Sequence, residues 1–294
     1  METIELAGDA GLKLVADVEG DPDAPPVVLF HGGGQTRHAW GTTLHVLGES
    51  WRAYSVDLRG HGDSAWAPDG DYGLDAFARD VRAVARSLGQ PPALVGASLG
   101  GIASLAAIAE TEGDPLAIAL VLVDVAPRIE AAGVSRIGDF MKGNLDGFES
   151  LEQVADAIGA YNPHRPRPKN LDGLKKNLRQ RADGRWMWHW DPRFVSGRFG
   201  SPDETRSTLV DGDRLQRAAR KLTIPTLLVR GRMSDLLSEE GARELLELVP
   251  HAQLADVAGA GHMVAGDRND AFNDAVVEFL ASVRPANANA KRET

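Results

Sequence analysis

The sequence predicts an α/β fold with a mostly parallel sheet, and two observations carry that prediction. Short, continuous apolar runs occur at residues 27–30 and Ala119–Val123, as is typical of strands that are buried on both faces. Between them, residues 74–88 place apolar side chains at helical spacing. Strands and helices that alternate across short turns indicate parallel βαβ units.

The same patterns predict the strands and helices of most of the remaining chain. Residues 12–18 alternate apolar and polar side chains, which predicts a half-exposed strand at a sheet edge, with residues 4–6 as its hairpin partner. Further strands are predicted at residues 52–56, 93–96, 226–229 and 252–257, and further helices at residues 37–47, 99–109, 239–248 and 270–283.

The alternation stops after Pro127, and this change defines the predicted domains. Residues 128–222 contain helical patches without convincing buried strands, which predicts an inserted helical cap. Its helices are expected at residues 134–141, 151–161, 171–181 and 213–221, with an extended connector at residues 163–168. The core then comprises residues 1–127 and 223–284, followed by a frayed tail at residues 285–294.

Composition excludes several functional classes. The chain has no cysteine, which removes disulfides, thiolate metal sites and a cysteine nucleophile. Its formal net charge of −10 disfavours nucleic acid as a partner. No secretion signal is recognised and no apolar run approaches the roughly 20 residues that span a bilayer, so a cytoplasmic protein without a membrane partner is expected.

One pentapeptide stands out as a candidate for covalent chemistry. The strand predicted at residues 93–96 breaks into Gly96-Ala-Ser-Leu-Gly100, in which the small residues permit a sharp turn that exposes Ser98. A serine becomes nucleophilic only with a histidine base and a supporting acid. Asp235 and His262 also follow predicted strands, and the ends of parallel strands share one sheet edge.

Other motifs leave alternatives open. The glycines at residues 32–34 indicate either a flexible connector or a loop whose N–H groups approach a ligand. His61 lies between two glycines without a second ligand at metal-binding spacing, so it is interpreted as a loop hydrogen-bonder, and no metal or cofactor is predicted. The tryptophan-rich stretch at residues 185–192, including a structural His189, either packs or contacts substrate. The candidate pocket residues are Trp40, Met141, Trp186, Trp188 and Met263.

Five motifs in order resemble those of the α/β-hydrolase superfamily, in its group with a helical cap. They are His31 to Gly34 with Trp40 soon after, Asp57 to Ser64, the pentapeptide around Ser98, Gly231 to Asp235, and Gly261-His262. The resemblance implies an eight-stranded, mostly parallel sheet flanked by helices, with the cap inserted.

The resemblance also implies a role for each matching residue. Ser98 would attack, His262 would accept and return the proton, and Asp235 would orient the histidine. The N–H groups of Gly33 and Leu99 would form the oxyanion hole. Asp124, at the end of the strand after the pentapeptide, is the alternative acid, because some relatives carry the acid there; otherwise it closes the strand and anchors the cap.

A serine nucleophile narrows the expected reaction. Capped relatives that open epoxides or displace halide carry aspartate at this position, so Ser98 favours acyl chemistry. The expected substrate is a small to medium carboxylic ester, with C–C bond hydrolysis, lactone hydrolysis or perhydrolysis as alternatives. A ligand sensor that retains the triad is the hypothesis from a different class. The sequence does not indicate an oligomeric state.

Overall fold

The computed structural model describes residues 1–163, 167, 170–199, 211–262 and 269–285. The predicted connector at residues 163–168 therefore lies largely outside the described residues, as do Met263 and nearly all of the predicted tail. Within the described residues, no helix is long and apolar enough to cross a membrane.

A twisted eight-stranded sheet organises the chain, in the order β1-β2-β4-β3-β5-β6-β9-β10. The first two strands pair antiparallel at one edge, as predicted, and β2 pairs antiparallel with β4. All other pairs are parallel. The prediction that β2 is half-exposed is wrong, because β1 and β4 flank it and most of its residues are buried. The strands are β1 Glu2–Ala7, β2 Lys13–Glu19, β3 Pro26–Phe30, β4 Arg52–Val56, β5 Ala93–Ala97, β6 Ala119–Val123, β9 Thr226–Gly231 and β10 Gln253–Val257.

Helices follow the strands and cover both faces of the sheet. Successive residues of β3 alternate between two apolar clusters, with Val28 and Phe30 in one and Val27 and Leu29 in the other. This explains why its sequence is continuously apolar rather than alternating. The helices outside the insertion are α1 Gly41–Gly48, α2 Leu74–Ser87, α3 Leu99–Ala109, α8 Glu239–Leu248 and α9 Asn269–Val283, with 3-10 turns at Asp9–Gly11 and Arg37–Trp40.

Residues 128–222, which lie between β6 and β9, are here called the inserted segment. One prediction within it is wrong, because residues 171–181 do not form a helix. They form a 3-10 turn at Asp172–Asn177 and then one strand of a small antiparallel hairpin. Its elements are α4 Ala131–Lys142, α5 Leu151–Tyr161, β7 Leu178–Gln180, β8 Trp186–Trp188, α6 Pro192–Phe199 and α7 Gly212–Arg220.

The turn from β5 into α3 requires glycine on both sides of Ser98. A Cβ on Gly96 would lie 2.5 Å from the backbone of Gly100 and Gly101, and a Cβ on Gly100 would lie 2.4 Å from the carbonyl oxygen of Phe30. These neighbours are backbone atoms, so they cannot rotate away. The close approach of α3 to the sheet therefore depends on these glycines.

Two glycine-to-alanine variants in helices should change stability in opposite directions. Gly100→Ala should lower the free energy of unfolding by about 2–3 kcal/mol or more, because the added methyl collides with β3. Gly159→Ala, in α5, meets no atom within 4 Å and should raise it by about 0.5–1 kcal/mol. Urea denaturation of both variants checks this contrast. Equal effects would contradict the packing described for α3.

Candidate active site

The ends of β5, β6 and β10 bring Ser98, Asp124 and His262 to one edge of the sheet. Ser98 follows β5 and Asp124 follows β6, which are paired neighbours. His262 lies in the turn after β10, and β9 separates that strand from β6. Residues that are far apart in sequence thus share the carboxyl edge of the parallel strands, as the sequence predicts.

Ser98 occupies a strained backbone conformation at the turn. Its φ of 45° and ψ of −112° lie outside the regions that L-residues ordinarily populate. The turn is fixed on both sides, because the Ser98 N–H donates to the carbonyl of Val123 at 3.1 Å and its own carbonyl accepts from Ile102 at 3.0 Å. Ser98 remains partly exposed. This is the geometry of an outward-pointing serine on a rigid support.

Asp124 is the carboxylate that contacts His262. The His262 Nδ1 donates to Asp124 Oδ2 over 2.7 Å. The Gly231 N–H donates to Oδ1 at 3.0 Å, and the Ser234 hydroxyl donates to Oδ2 at 2.5 Å. Asp124 is fully buried and takes a φ of +50°, which turns its side chain out of the strand direction. Three donors thus replace the water that burial removes from this carboxylate.

The structure contradicts the predicted position of Asp235. Its carboxylate faces the inserted segment, where both oxygens pair with the Arg136 guanidinium at 2.9 and 2.7 Å. The Asp235 side chain is 38 % exposed. The cause is the turn itself, since the Ser234 hydroxyl accepts the N–H groups of Leu236 and Leu237 and so faces inward. Asp235 is thereby turned outward.

Specific partners accept hydrogen bonds from two of the three N–H groups in the loop after β3. The Gly32 N–H donates to Gln35 Oε1 at 2.8 Å, and the Gly34 N–H donates to His61 Nε2 at 3.1 Å. Among the described residues, none accepts a hydrogen bond from the Gly33 N–H. This loop (residues 32–34), called the glycine loop below, passes Ser98 closely, because a Cβ on Gly32 would lie 3.3 Å from the Ser98 Cβ.

A second free N–H lies on the other side of Ser98. Leu99 is the first residue of α3, and the first N–H groups of a helix have no acceptor within it. The positive end of the helix dipole lies at the same place. Together with the Gly33 N–H, this arrangement can stabilise negative charge that develops beside Ser98.

Two buried histidines support the glycine loop from the core. The His31 Nδ1–H donates to the Gly32 carbonyl at 2.8 Å, while its Nε2 accepts from the Leu58 N–H at 3.0 Å. Burial lowers the pKa of His31, which keeps the ring neutral. His61 donates from Nδ1 to the Arg59 carbonyl at 2.9 Å. The interpretation of His61 as a loop hydrogen-bonder is confirmed by its contacts.

The predicted pocket residues divide into two groups. Trp40 is 1 % exposed and packs in the core against Phe272, with ring centroids 6.0 Å apart, so the prediction that it lines a pocket is wrong. Its 3-10 turn leads directly into α1 and directs the indole between α1 and α9. Met263 lies outside the described residues.

The other three predicted pocket residues belong to the inserted segment. Met141 lies against the glycine loop, because a Cβ on Gly34 would be 3.1 Å from its methyl group. Trp188 is buried and stacks on Trp190 at 4.9 Å, while Trp186 is half-buried at the start of the same strand. A Cβ on Gly34 would also lie 3.5 Å from the Trp190 ring. The aromatic side chains of this part of the inserted segment thus pack on one another and also lie near the glycine loop.

No group of three or more histidine, aspartate and glutamate side chains is arranged to hold a metal ion within the ranges described above. The groups that the structure brings to this edge are a serine, a histidine with its carboxylate, and two backbone N–H groups.

Comparison with known proteins identifies the family of this chain. The family model described as "Alpha/beta hydrolase family" matches residues 27–275. The chain is 33 % identical over 264 residues to esterase Rv0045c of Mycobacterium tuberculosis, covering 86 % of this chain and 82 % of the esterase. It is 30 % identical over 258 residues to N-formylmaleamate deformylase of Pseudomonas putida, covering 86 % and 88 %.

Solved structures extend the likeness to three dimensions. A structure of the M. tuberculosis esterase superposes with a TM-score of 0.75 at 28 % identity, covering 95 % of this chain and 92 % of that one. The fold, the match of the family model over most of the chain and these relatives lead to one conclusion. The chain belongs to the alpha/beta hydrolase family, and it is a hydrolase.

Proposed function

We propose that the protein hydrolyses a small to medium carboxylic ester through a triad of Ser98, His262 and Asp124. The observation that carries this proposal is the hydrogen bond from His262 Nδ1 to the buried Asp124 carboxylate. It gives the histidine the orientation and tautomer that a general base needs, with Nε2 unprotonated and available to a serine. The esterase relative supports the same substrate class.

The proposed reaction follows from the donors and acceptors at the sheet edge. Ser98 Oγ attacks the ester carbonyl while His262 Nε2 takes its proton. The oxygen of the tetrahedral intermediate is stabilised by the N–H groups of Gly33 and Leu99. The intermediate then expels the alcohol, which receives the proton from His262. Water, activated by the same histidine, releases the acid from the acyl-enzyme and restores Ser98.

Asp124 has two roles in this proposal. Its hydrogen bond holds the proton on His262 Nδ1, and its negative charge stabilises the imidazolium that forms when Ser98 attacks. The Gly231 N–H and the Ser234 hydroxyl keep the carboxylate in place. Asp235 has a different role, because its ion pair with Arg136 joins the inserted segment to the core.

We also propose that the inserted segment acts as a cap that shapes the acyl or alcohol site. Met141 and Trp190 lie beside Gly34, so buried apolar side chains of the inserted segment adjoin the proposed oxyanion hole. Such side chains suit an apolar or aromatic group on the substrate. A small-molecule acyl compound is therefore the proposed binding partner.

Hydrolysis of an acyl amide is the second candidate. The P. putida relative is named as a deformylase of N-formylmaleamate, which is an acylated amide. The same serine attack on a carbonyl cleaves a C–N bond when His262 protonates the leaving nitrogen. Matched ester and amide substrates of one acid would distinguish the two candidates by kcat/KM.

A fluorophosphonate probe should label Ser98 and no other residue. Labelling requires an activated serine, a base and an oxyanion hole together, and the proposed triad assigns all three to Ser98. Peptide mapping by mass spectrometry identifies the modified residue, and Ser98→Ala should abolish both labelling and turnover of a p-nitrophenyl ester. Modification of a different serine would overturn the assignment.

Two aspartate variants should separate the proposed acid from its neighbour. Asp124→Asn should lower kcat by about 10³–10⁴-fold, because an amide at this position favours the wrong histidine tautomer. Asp235→Asn removes a partly exposed ion pair and should change kcat less than about 5-fold, since such pairs contribute about 1 kcal/mol or less. Esterase kinetics at neutral pH, with unfolding curves as the folding control, make the comparison. The reverse order of effects would assign the role to Asp235.

A further inference from the structure

Three imidazoles hold three consecutive peptide units of the glycine loop. His31 donates to the carbonyl of Gly32, which belongs to the peptide that carries the Gly33 N–H. His61 accepts the N–H of Gly34 from the next peptide. His189 Nε2 donates to the carbonyl of Gly34, in the third peptide, at 3.3 Å. The rings lie close together, with centroids 5.2 Å apart for His31 and His61 and 5.8 Å apart for His61 and His189.

His189 differs from the other two because it comes from the inserted segment. It follows β8 and is 1 % exposed. Its Nδ1 accepts the N–H of Gly62, in the core turn that also carries His61, over 2.8 Å. One imidazole therefore joins three separate parts of the chain, namely the inserted segment, the glycine loop and the core turn.

The direction of each hydrogen bond fixes the charge and tautomer of His189. Nδ1 accepts and Nε2 donates, so the ring is neutral with its proton on Nε2. Burial, together with the neighbouring His31, the cationic Arg179 and His38, lowers the pKa of His189 to about 3. The Nε2–H donor is therefore present at neutral pH.

The loop conformation that these contacts hold is the one that leaves the Gly33 N–H free. Gly34 has a φ of +77°, which turns the chain sharply, and its N–H is taken by His61. The Gly32 N–H is taken by Gln35. Consecutive peptide planes share a Cα, so rotation of the third peptide would alter the turn at Gly34 and, through the intervening Gly33–Gly34 peptide, redirect the Gly33 N–H. A displacement of a fraction of an ångström weakens an oxyanion contact.

Attachment of this stretch to the core does not depend on His189. The Asp191 carboxylate, 1 % exposed, accepts the Tyr72 hydroxyl at 2.6 Å, and the Asp191 N–H donates to the Gly60 carbonyl at 2.9 Å. Arg193 donates to the Ala67 carbonyl at 2.9 Å. These contacts lie beside His189 but do not touch the glycine loop, so they provide a control for docking alone.

We infer that His189 is a positioning residue for the oxyanion hole, through which the docked inserted segment sets the conformation of residues 32–34. This inference rests on the proposed function. It means that substrate selection by the inserted segment and charge stabilisation beside Ser98 are mechanically linked, because the residue next to the aromatic Trp188 and Trp190 also holds the loop.

The test compares two polar replacements that each keep one half of the imidazole's function. His189→Gln retains a donor at the position of Nε2, and His189→Asn retains an acceptor at the position of Nδ1. We expect His189→Asn to lower kcat for a p-nitrophenyl ester by about 10-fold or more, with KM changed less than 3-fold, because misplacing one oxyanion donor costs up to about 10²–10³-fold. His189→Gln should recover most of that loss.

The affinity for a transition-state analogue reports on the oxyanion hole. It would not change if His189 only attached the inserted segment to the core. The affinity for a trifluoromethyl ketone, which forms a tetrahedral adduct with Ser98, should fall in His189→Asn by the same factor as kcat. Tyr72→Phe, which removes a neighbouring contact between the inserted segment and the core, should lower the unfolding midpoint but leave kcat and ketone affinity within 3-fold of the wild type.

The possible results test the role of His189 separately from the proposed esterase function. Equal kcat and ketone affinity in the wild type, His189→Asn and His189→Gln would overturn the inference, as would equal losses in His189→Asn and Tyr72→Phe. A wild-type protein that neither hydrolyses esters nor reacts with a fluorophosphonate would instead overturn the proposed function. Thermal unfolding of both histidine variants identifies any loss of activity that comes from misfolding. For variants that fold, the ratio of kcat between His189→Gln and His189→Asn decides whether His189 positions the loop.

Discussion

The buried carboxylate of Asp124 constrains the whole sheet edge. Removing a carboxylate from water costs several kcal/mol unless hydrogen bonds replace its hydration. Here the replacement comes from the Gly231 N–H at the end of β9, from the Ser234 hydroxyl in the turn that follows it and from His262 after β10. Satisfying this one group therefore requires the segments that follow β9 and β10 to converge on the end of β6, and their convergence creates the candidate site.

Glycine makes that convergence sterically possible. A Cβ on Gly231 would lie 2.3 Å from the carbonyl oxygen of Gly261, so the two loops can meet only without a side chain there. The same principle places Gly32 close to Ser98 and Gly100 against β3. The glycines around the site thus allow its loops and strands to approach closely. This close approach lets the polar side chains form their hydrogen bonds.

Much of the architecture could be predicted because it depends on local patterns. Continuous apolar runs identify buried strands, and the pentapeptide around Ser98 identifies a strand-to-helix turn. The choice of acid could not be predicted in the same way. Asp124 and Asp235 both follow strands, and the difference lies in the inward orientation of Ser234, which depends on backbone hydrogen bonds. Trp40 and residues 171–181 were mispredicted because tertiary packing determined their positions. The role of His189 has no local signal at all.

In the proposed triad, Asp124 holds the proton on His262 Nδ1. Proton NMR tests this hydrogen bond directly. A histidine N–H that donates to a carboxylate over 2.7 Å, in a largely buried site, should give a strongly deshielded resonance well separated from the amide envelope. We expect that resonance in the wild type and in Asp235→Asn, and its loss in Asp124→Asn and in His262→Ala. Its persistence in Asp124→Asn together with its loss in Asp235→Asn would contradict the structure of the site described here.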